Sequence, residues 1–213
     1  MEKPSVIRSR EWWDNFWENA SQHFGAPSET LLRYAREFNK DGLGLRAIDI
    51  ASGNGRYAIP LAKMGYEVHA LEFSKTGARR ILNAAKDEGV EVFVDNDDFL
   101  KACSENRQYD LVLCSGFLEE ISPEDYTKAV EGFMNWTKPG GLNIIKYCLE
   151  VIDRGVLVEP DLVPGLYTNA NWSILFFEQE KDLRETKATI SFERKIRTET
   201  VIALKPVSTH MGT

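Results

Sequence analysis

Between residues 45 and 149 the chain alternates between two hydrophobic rhythms. Short, nearly unbroken apolar runs at 45–51, 66–71, 90–94, 109–114 and 142–149 predict buried strands. Between them, apolar residues recur every three or four positions, the spacing of one helix face. The first such stretch, 56–64, is closed by Gly65. The second is capped by Ser74, carries Ala78, Ile81, Leu82 and Ala85 on one stripe, and ends at Gly89. A third opens with Ser122 as N-cap and Pro123 in the first turn, with Asp125 at the capping-box position. It carries Tyr126, Ala129, Val130 and Phe133 before Pro139-Gly140-Gly141 stops it. Strands that are apolar on both faces, alternating with helices, predict an α/β fold: a parallel, doubly wound sheet with helices on each side and right-handed crossovers.

The two ends read differently. Residues 10–20 carry Trp12, Trp13, Phe16 and Trp17 close to one helical face. A second helix starts at Ser28, with a stripe of Leu31, Leu32, Tyr34, Ala35 and Phe38, and DGLGL breaks it. Residues 1–44 are therefore expected to form a helical cap on a core spanning 45–150. Residues 151–171 form an irregular stretch broken by Pro160 and Pro164, a length typical of a functional loop or lid. Residues 172–180 are expected to be helical. The alternating runs 183–194 and 198–206 predict an antiparallel hairpin at one sheet edge. The whole reads as one domain over 1–206 with a flexible tail at 207–213.

Composition narrows the partners. With 213 residues, 43% hydrophobic and 28% charged, the chain is long and apolar enough to bury a core. No apolar run approaches the ~18 residues of a membrane helix, and the first residues lack a signal core, so neither membrane insertion nor secretion is expected. A net charge of −7 argues against nucleic acid and anionic membranes as partners. Cys103, Cys114 and Cys148 form no CxxC pair and read as reduced cytoplasmic thiols. His23, His69 and His210 share no metal-ligand spacing, so no metal is expected.

The densest chemical signal is Asp49-Ile-Ala-Ser-Gly53-Asn-Gly55-Arg56, at a strand-to-helix turn where an open α/β sheet binds ligands. Gly53 to Ala58 fits the dinucleotide pattern GxGxxA, and Glu72 lies 19 residues on, where a ribose-binding acid belongs. Asp49 sits where a pyrophosphate would meet a second anion; it suits an ammonium or sulfonium instead. Asp97 and Asp98 follow the third strand. An acid at each of three successive strand tips fits an adenosyl ligand with a cationic tail and no phosphate, which is S-adenosylmethionine.

DIASGNGRYAIPLAKMGYEVHALEFS resembles the first two motifs of the class I S-adenosylmethionine-dependent methyltransferases, and within them the tellurite-resistance (TehB-like) branch. YDLVLCSGFLEEI and KPGGLNIIKY resemble that family's fourth strand and PGG-strand, and the terminal hairpin its antiparallel sixth and seventh strands. Ala51 stands where many members carry the first glycine. The resemblance implies a seven-stranded Rossmann-like sheet. It also implies roles for residues. Asp49 faces the methionyl amino group; Ala51, Ser52, Gly53, Gly55 and Arg56 line the methionine and ribose. Glu72 accepts the ribose hydroxyls and Phe73 packs beside the adenine. Asp98, or Asp97, accepts from the adenine amine, and the Phe99 N–H reaches a ring nitrogen. Ser115 and Phe117 border the methyl group. Asp98 is equally a candidate N-cap, and Phe73 and Phe117 are candidate core residues.

The implied reaction is an in-line methyl transfer to a small molecule. Candidate catalytic residues are Glu119, Tyr147 and Tyr34; Glu120, Tyr57, His23 and Asp153 are further polar residues expected near the acceptor, and Glu119 with Glu120 would suit a cationic amine. Leu157, Val158, Leu162, Val163, Leu166, Tyr167 and Trp172 are expected to roof the pocket, implying a hydrophobic or aromatic acceptor. The chain is expected to be a monomer or homodimer. Alternatives are a nicotinamide-dependent oxidoreductase using the same turn and a protein that binds the cofactor without methylating.

Overall fold

The computed structural model describes residues 8–19, 25–151, 155–185 and 193–207. Five strands pair in parallel: β1 (Arg46–Ile50), β2 (Glu67–Leu71), β3 (Phe93–Asp95), β4 (Tyr109–Ser115) and β5 (Thr137–Val151). The antiparallel pair β7 (Ser173–Glu185) and β8 (Glu193–Leu204) joins them through β5, and the two-residue β6 (Gly155–Val156) lies beside β5. The order is β3-β2-β1-β4-β5-β8-β7. Order reverses between β1 and β4, which opens a crevice above their carboxyl ends.

Successive residues of a strand point to opposite faces, so each central strand feeds two cores. Ile48, Ile50, Val112, Cys114 and Ile145 face one side, under α6 (Tyr126–Trp136) and its Phe133 and Trp136. Ala47, Leu111, Leu113 and Ile144 face the other, under α2 (Glu29–Phe38), α3 (Ala58–Lys63) and α4 (Lys75–Asp87). This two-sided burial is why the strands read as unbroken apolar runs. No helix among the described residues is long and apolar enough to cross a membrane.

Three expectations are corrected. The run 90–94 yields only Phe93–Asp95 as strand, because β3 is an edge whose Phe93 stays 44% exposed. Residues 172–180 are not helical but open β7. A register shift between Ile174 and Phe176 sends these residues to opposite cores, a bulge that breaks the period-two pattern. The stretch 151–171 contains α7 (Leu162–Asn169), with Pro164 tolerated in its first turn. Val158, Val163 and Tyr167 are fully buried and Trp172 nearly so, in the core beneath α6. These side chains fill the sheet's lower face instead of roofing a pocket. The expectations for His23, Asp153 and 208–213 lie outside the described residues.

Candidate functional site

The turn after β1 is built around two buried carboxylates. Ala51, Gly53 and Gly55 take left-handed φ of 54°, 63° and 83°, which curls the chain back over the strand end. Asp49 accepts a hydrogen bond from Ser52 Oγ at 2.6 Å and from the Ala58 N–H at 3.0 Å, pinning the turn to the start of α3. Burial pushes its carboxyl up to about 6, against the Ser52 bond and the Arg56 charge. Glu72, at the end of β2, accepts the N–H groups of Gly53 at 2.6 Å and Ser74 at 2.7 Å. Burial pushes it up to about 7, and the charges of Asp49 and Asp14 add to the effect. Gly77, unmarked by the sequence reading, is required here: a Cβ would lie 2.8 Å from the Gly53 carbonyl oxygen and 2.9 Å from Glu72 Cγ.

The next two tips meet this turn. Asn96 Nδ2 donates to the carbonyls of Glu72 at 2.7 Å and Phe73 at 3.0 Å, tying the β3 tip to the β2 tip. Asp97 Oδ1 accepts the Asp98 N–H, and Asp98 Oδ1 accepts the Leu100 N–H, so Asp98 is the N-cap of α5 (Phe99–Ala102). The Phe99 ring is buried, edge-on to Phe117 at 5.6 Å. At the β4 tip, Ser115 Oγ accepts from Arg56 Nη2 at 3.3 Å, which brings two of the expected site residues together.

One helix, with the residues just before it, spans these loops. From α1 (Arg10–Asn19), the Arg10 guanidinium lies 4.6 Å from the Phe73 ring centre and Nη1 reaches Asn96 Oδ1 at 3.4 Å. Asp14 Oδ1 accepts from Ser74 Oγ at 2.6 Å and the Thr76 N–H at 3.1 Å. The Trp17 ring closes on Gly53, where a Cβ would come within 2.6 Å of it. Just before α1, Arg8 holds both oxygens of Glu120, at 2.7 and 2.8 Å, in the turn after β4. Arg10, Asp14 and Trp17 fall at i, i+4 and i+7, so a mixed polar face was legible; the aromatic stripe beside it masked the signal.

The catalytic candidates separate. Tyr147 is buried, and its hydroxyl donates to Glu199; burial and that carboxylate push its ionisation far above the usual range, which removes it as a base at neutral pH. Tyr34 packs against Phe176 at 5.5 Å and lies under the Arg33 guanidinium. The Tyr57 hydroxyl accepts the Ser28 N–H. Glu119 differs: burial pushes it up to about 7, and its Oε2 is sealed from water with no hydrogen-bond partner among the described residues.

The profile of the family described as "Methyltransferase domain" matches residues 47–141, from β1 to the PGG turn. Among curated proteins, "EEF1A lysine methyltransferase 2" of Danio rerio is 25% identical, over 83% of this chain and 89% of the relative. "Ubiquinone biosynthesis O-methyltransferase" of Rickettsia felis is 27% identical over 64% of this chain; the aligned part spans 56% of that relative. TehB from Haemophilus influenzae superposes with a TM-score of 0.69 at 15% identity, covering 92% of this chain and 66% of TehB. Magnesium protoporphyrin IX methyltransferase from Synechocystis, solved with bound S-adenosylmethionine, superposes with a TM-score of 0.67 at 14% identity, over 94% and 98%.

Proposed function

From the premise that residues 47–141 are a methyltransferase domain in the sheet of the class I S-adenosylmethionine-dependent methyltransferases, with that sulfonium nucleoside as cofactor, we propose that this chain methylates a small-molecule acceptor held over the tips of β4 and β5. The observation that carries the reading is the pair of buried carboxylates, Asp49 and Glu72, at one glycine turn. A pyrophosphate there would bring further negative charge into a site already short of cations. A ligand with an ammonium, a sulfonium and ribose hydroxyls supplies charge and donors instead.

When bound, S-adenosylmethionine supplies an electrophilic methyl group on a positive sulfur. The chain's part is to bind and align. Asp49 takes the methionyl ammonium, through the turn formed by Ala51, Ser52, Gly53 and Gly55. Arg56 orients Ser115 at the β4 tip. Glu72 would hold the ribose hydroxyls, and Phe73, under Arg10, would lie beside the adenine. Asp97 or Asp98 receives the adenine amine, beside the Phe99 N–H. Ser115 and Phe117 border the methyl group. Holding acceptor and methyl group in line accounts for roughly 7–11 kcal/mol of barrier lowering. The zebrafish relative, matched over most of its length, favours a second reading in which the acceptor is a protein lysine.

Thermal denaturation with added ligand tests the proposal. S-adenosylhomocysteine is expected to raise Tm, NAD is expected to leave it unchanged, and Asp49→Ala is expected to abolish the response. A rise with NAD and none with S-adenosylhomocysteine would overturn it.

A further inference from the structure

Two side-chain oxygens are sealed from water and lack a partner among the described residues: Glu119 Oε2, in the turn after β4, and Thr198 Oγ1, on β8. Strand register links them through Cys148. Thr198 of β8 is the register partner of Cys148 of β5. Opposed residues of an antiparallel pair leave the same face with Cβ atoms about 5 Å apart. The Cys148 thiol in turn bonds the Glu119 carboxylate. Ser115 is the register partner of Lys146, so Ser115, Lys146 and Cys148 continue the face of Leu113 and Ile144, at its carboxyl end. Thr198 therefore lies beside the carboxyl end of β5, whose Cys148 reaches the Glu119 carboxylate in the turn after β4.

Charge distinguishes Glu119 from its neighbours. Glu120 is paired with Arg8, Glu150 with Arg197 and Glu180 with Lys146. Glu119 has no cation of its own among the described residues. A buried carboxylate with no cation and one oxygen unbonded is costly, and so is a buried hydroxyl without a partner. An ammonium removes both costs, since it carries one positive charge and three N–H donors and both oxygens accept.

We propose that Glu119 and Thr198 form an acceptor subsite for an alkylammonium group. This rests on the methyltransferase reading and narrows its acceptor to a basic amine, which binds as the ammonium and attacks the methyl group as the free amine once its proton has passed to the Glu119 carboxylate. The amine belongs either to a small molecule or to a lysine side chain, which present the same head group.

Calorimetric titration of the full chain saturated with S-adenosylhomocysteine tests it, with three probes: 2-phenylethylamine, its neutral counterpart 2-phenylethanol, and Nα-acetyl-lysine methylamide. At least one amine is expected to bind ten times more tightly than the alcohol. A preference for phenylethylamine assigns the site to small amines, and one for the lysine derivative to side chains. Glu119→Gln is expected to erase the amine preference and Thr198→Val to weaken it severalfold. Both variants should bind S-adenosylhomocysteine within twofold of the parent, which separates loss of the subsite from loss of the fold. Equal binding of amine and alcohol, no amine binding, or a preference that survives Glu119→Gln overturns the proposal. Failure of the parent to bind S-adenosylhomocysteine overturns the methyltransferase reading beneath it, and the subsite with it.

Discussion

At the residue scale, the glycine turn is shaped by backbone sign. Ala51 holds a φ of 54°, a region where a Cβ crowds the neighbouring carbonyl at a cost of roughly 1–2 kcal/mol. Glycine relieves the crowding but gives back part of the gain as unfolded-chain entropy. Ala51→Gly is therefore expected to stabilise the chain by about 0.5–1 kcal/mol in urea denaturation; a loss of stability would show that the alanine methyl packs productively. Gly53 is a different case, because left-handed backbone and the Trp17 ring both exclude a side chain there. Glycine at 53 and 55 and acid at 49 and 72 are legible from spacing, since each answers a local need of the turn. Gly77 was not legible: its constraint comes from a carbonyl 24 positions earlier in the chain.

At the element scale, α1 is the component that joins the tips of β1, β2 and β3, and Arg8 just before it adds the turn after β4. Its attachment centres on Asp14. Burial raises that carboxyl, but the bonds from Ser74, Thr76 and Lys75 and the Arg10 charge outweigh it, so it lies below the usual range and stays charged. A charged acceptor over the first turn of α4 also meets that helix's positive end. Asp14→Ala is expected to cost about 1–2 kcal/mol and to make α1 the first site of limited proteolysis. An unchanged digestion pattern would show that the aromatic contacts alone hold the helix. The pattern 12-13-16-17 announced a helix with an apolar face, but what the helix meets is set by loops 36 to 86 positions further along. The same limit explains β7, where a bulge reset the period and disguised a strand as a helix.

At the scale of the whole molecule, three buried carboxylates set the response to pH. Asp49 is raised to about 6, and Glu72 and Glu119 to about 7, burial being the largest cause in each. Each binds its proton more tightly folded than unfolded. Their stabilising contribution is therefore complete below about pH 4 and is lost as pH rises through 6 to 7. The ligand-free chain is expected to lose stability between pH 5 and pH 8, and Glu119→Gln to flatten that slope and gain roughly 1–3 kcal/mol at pH 8. Tm measured across that range checks this; stability that climbs with pH in both proteins would contradict it. The sequence alone determined the strand–helix alternation, the parallel core and the glycine turn with its acids, because periodicity, capping and positive φ are requirements of neighbouring residues. Only the tertiary structure decided that α1 lies over the strand tips, that α7 fills the core, and that Cys148 links Glu119 to the strand position of Thr198. Such contacts are made by strand register and by which face a side chain leaves, and no local pattern carries that information.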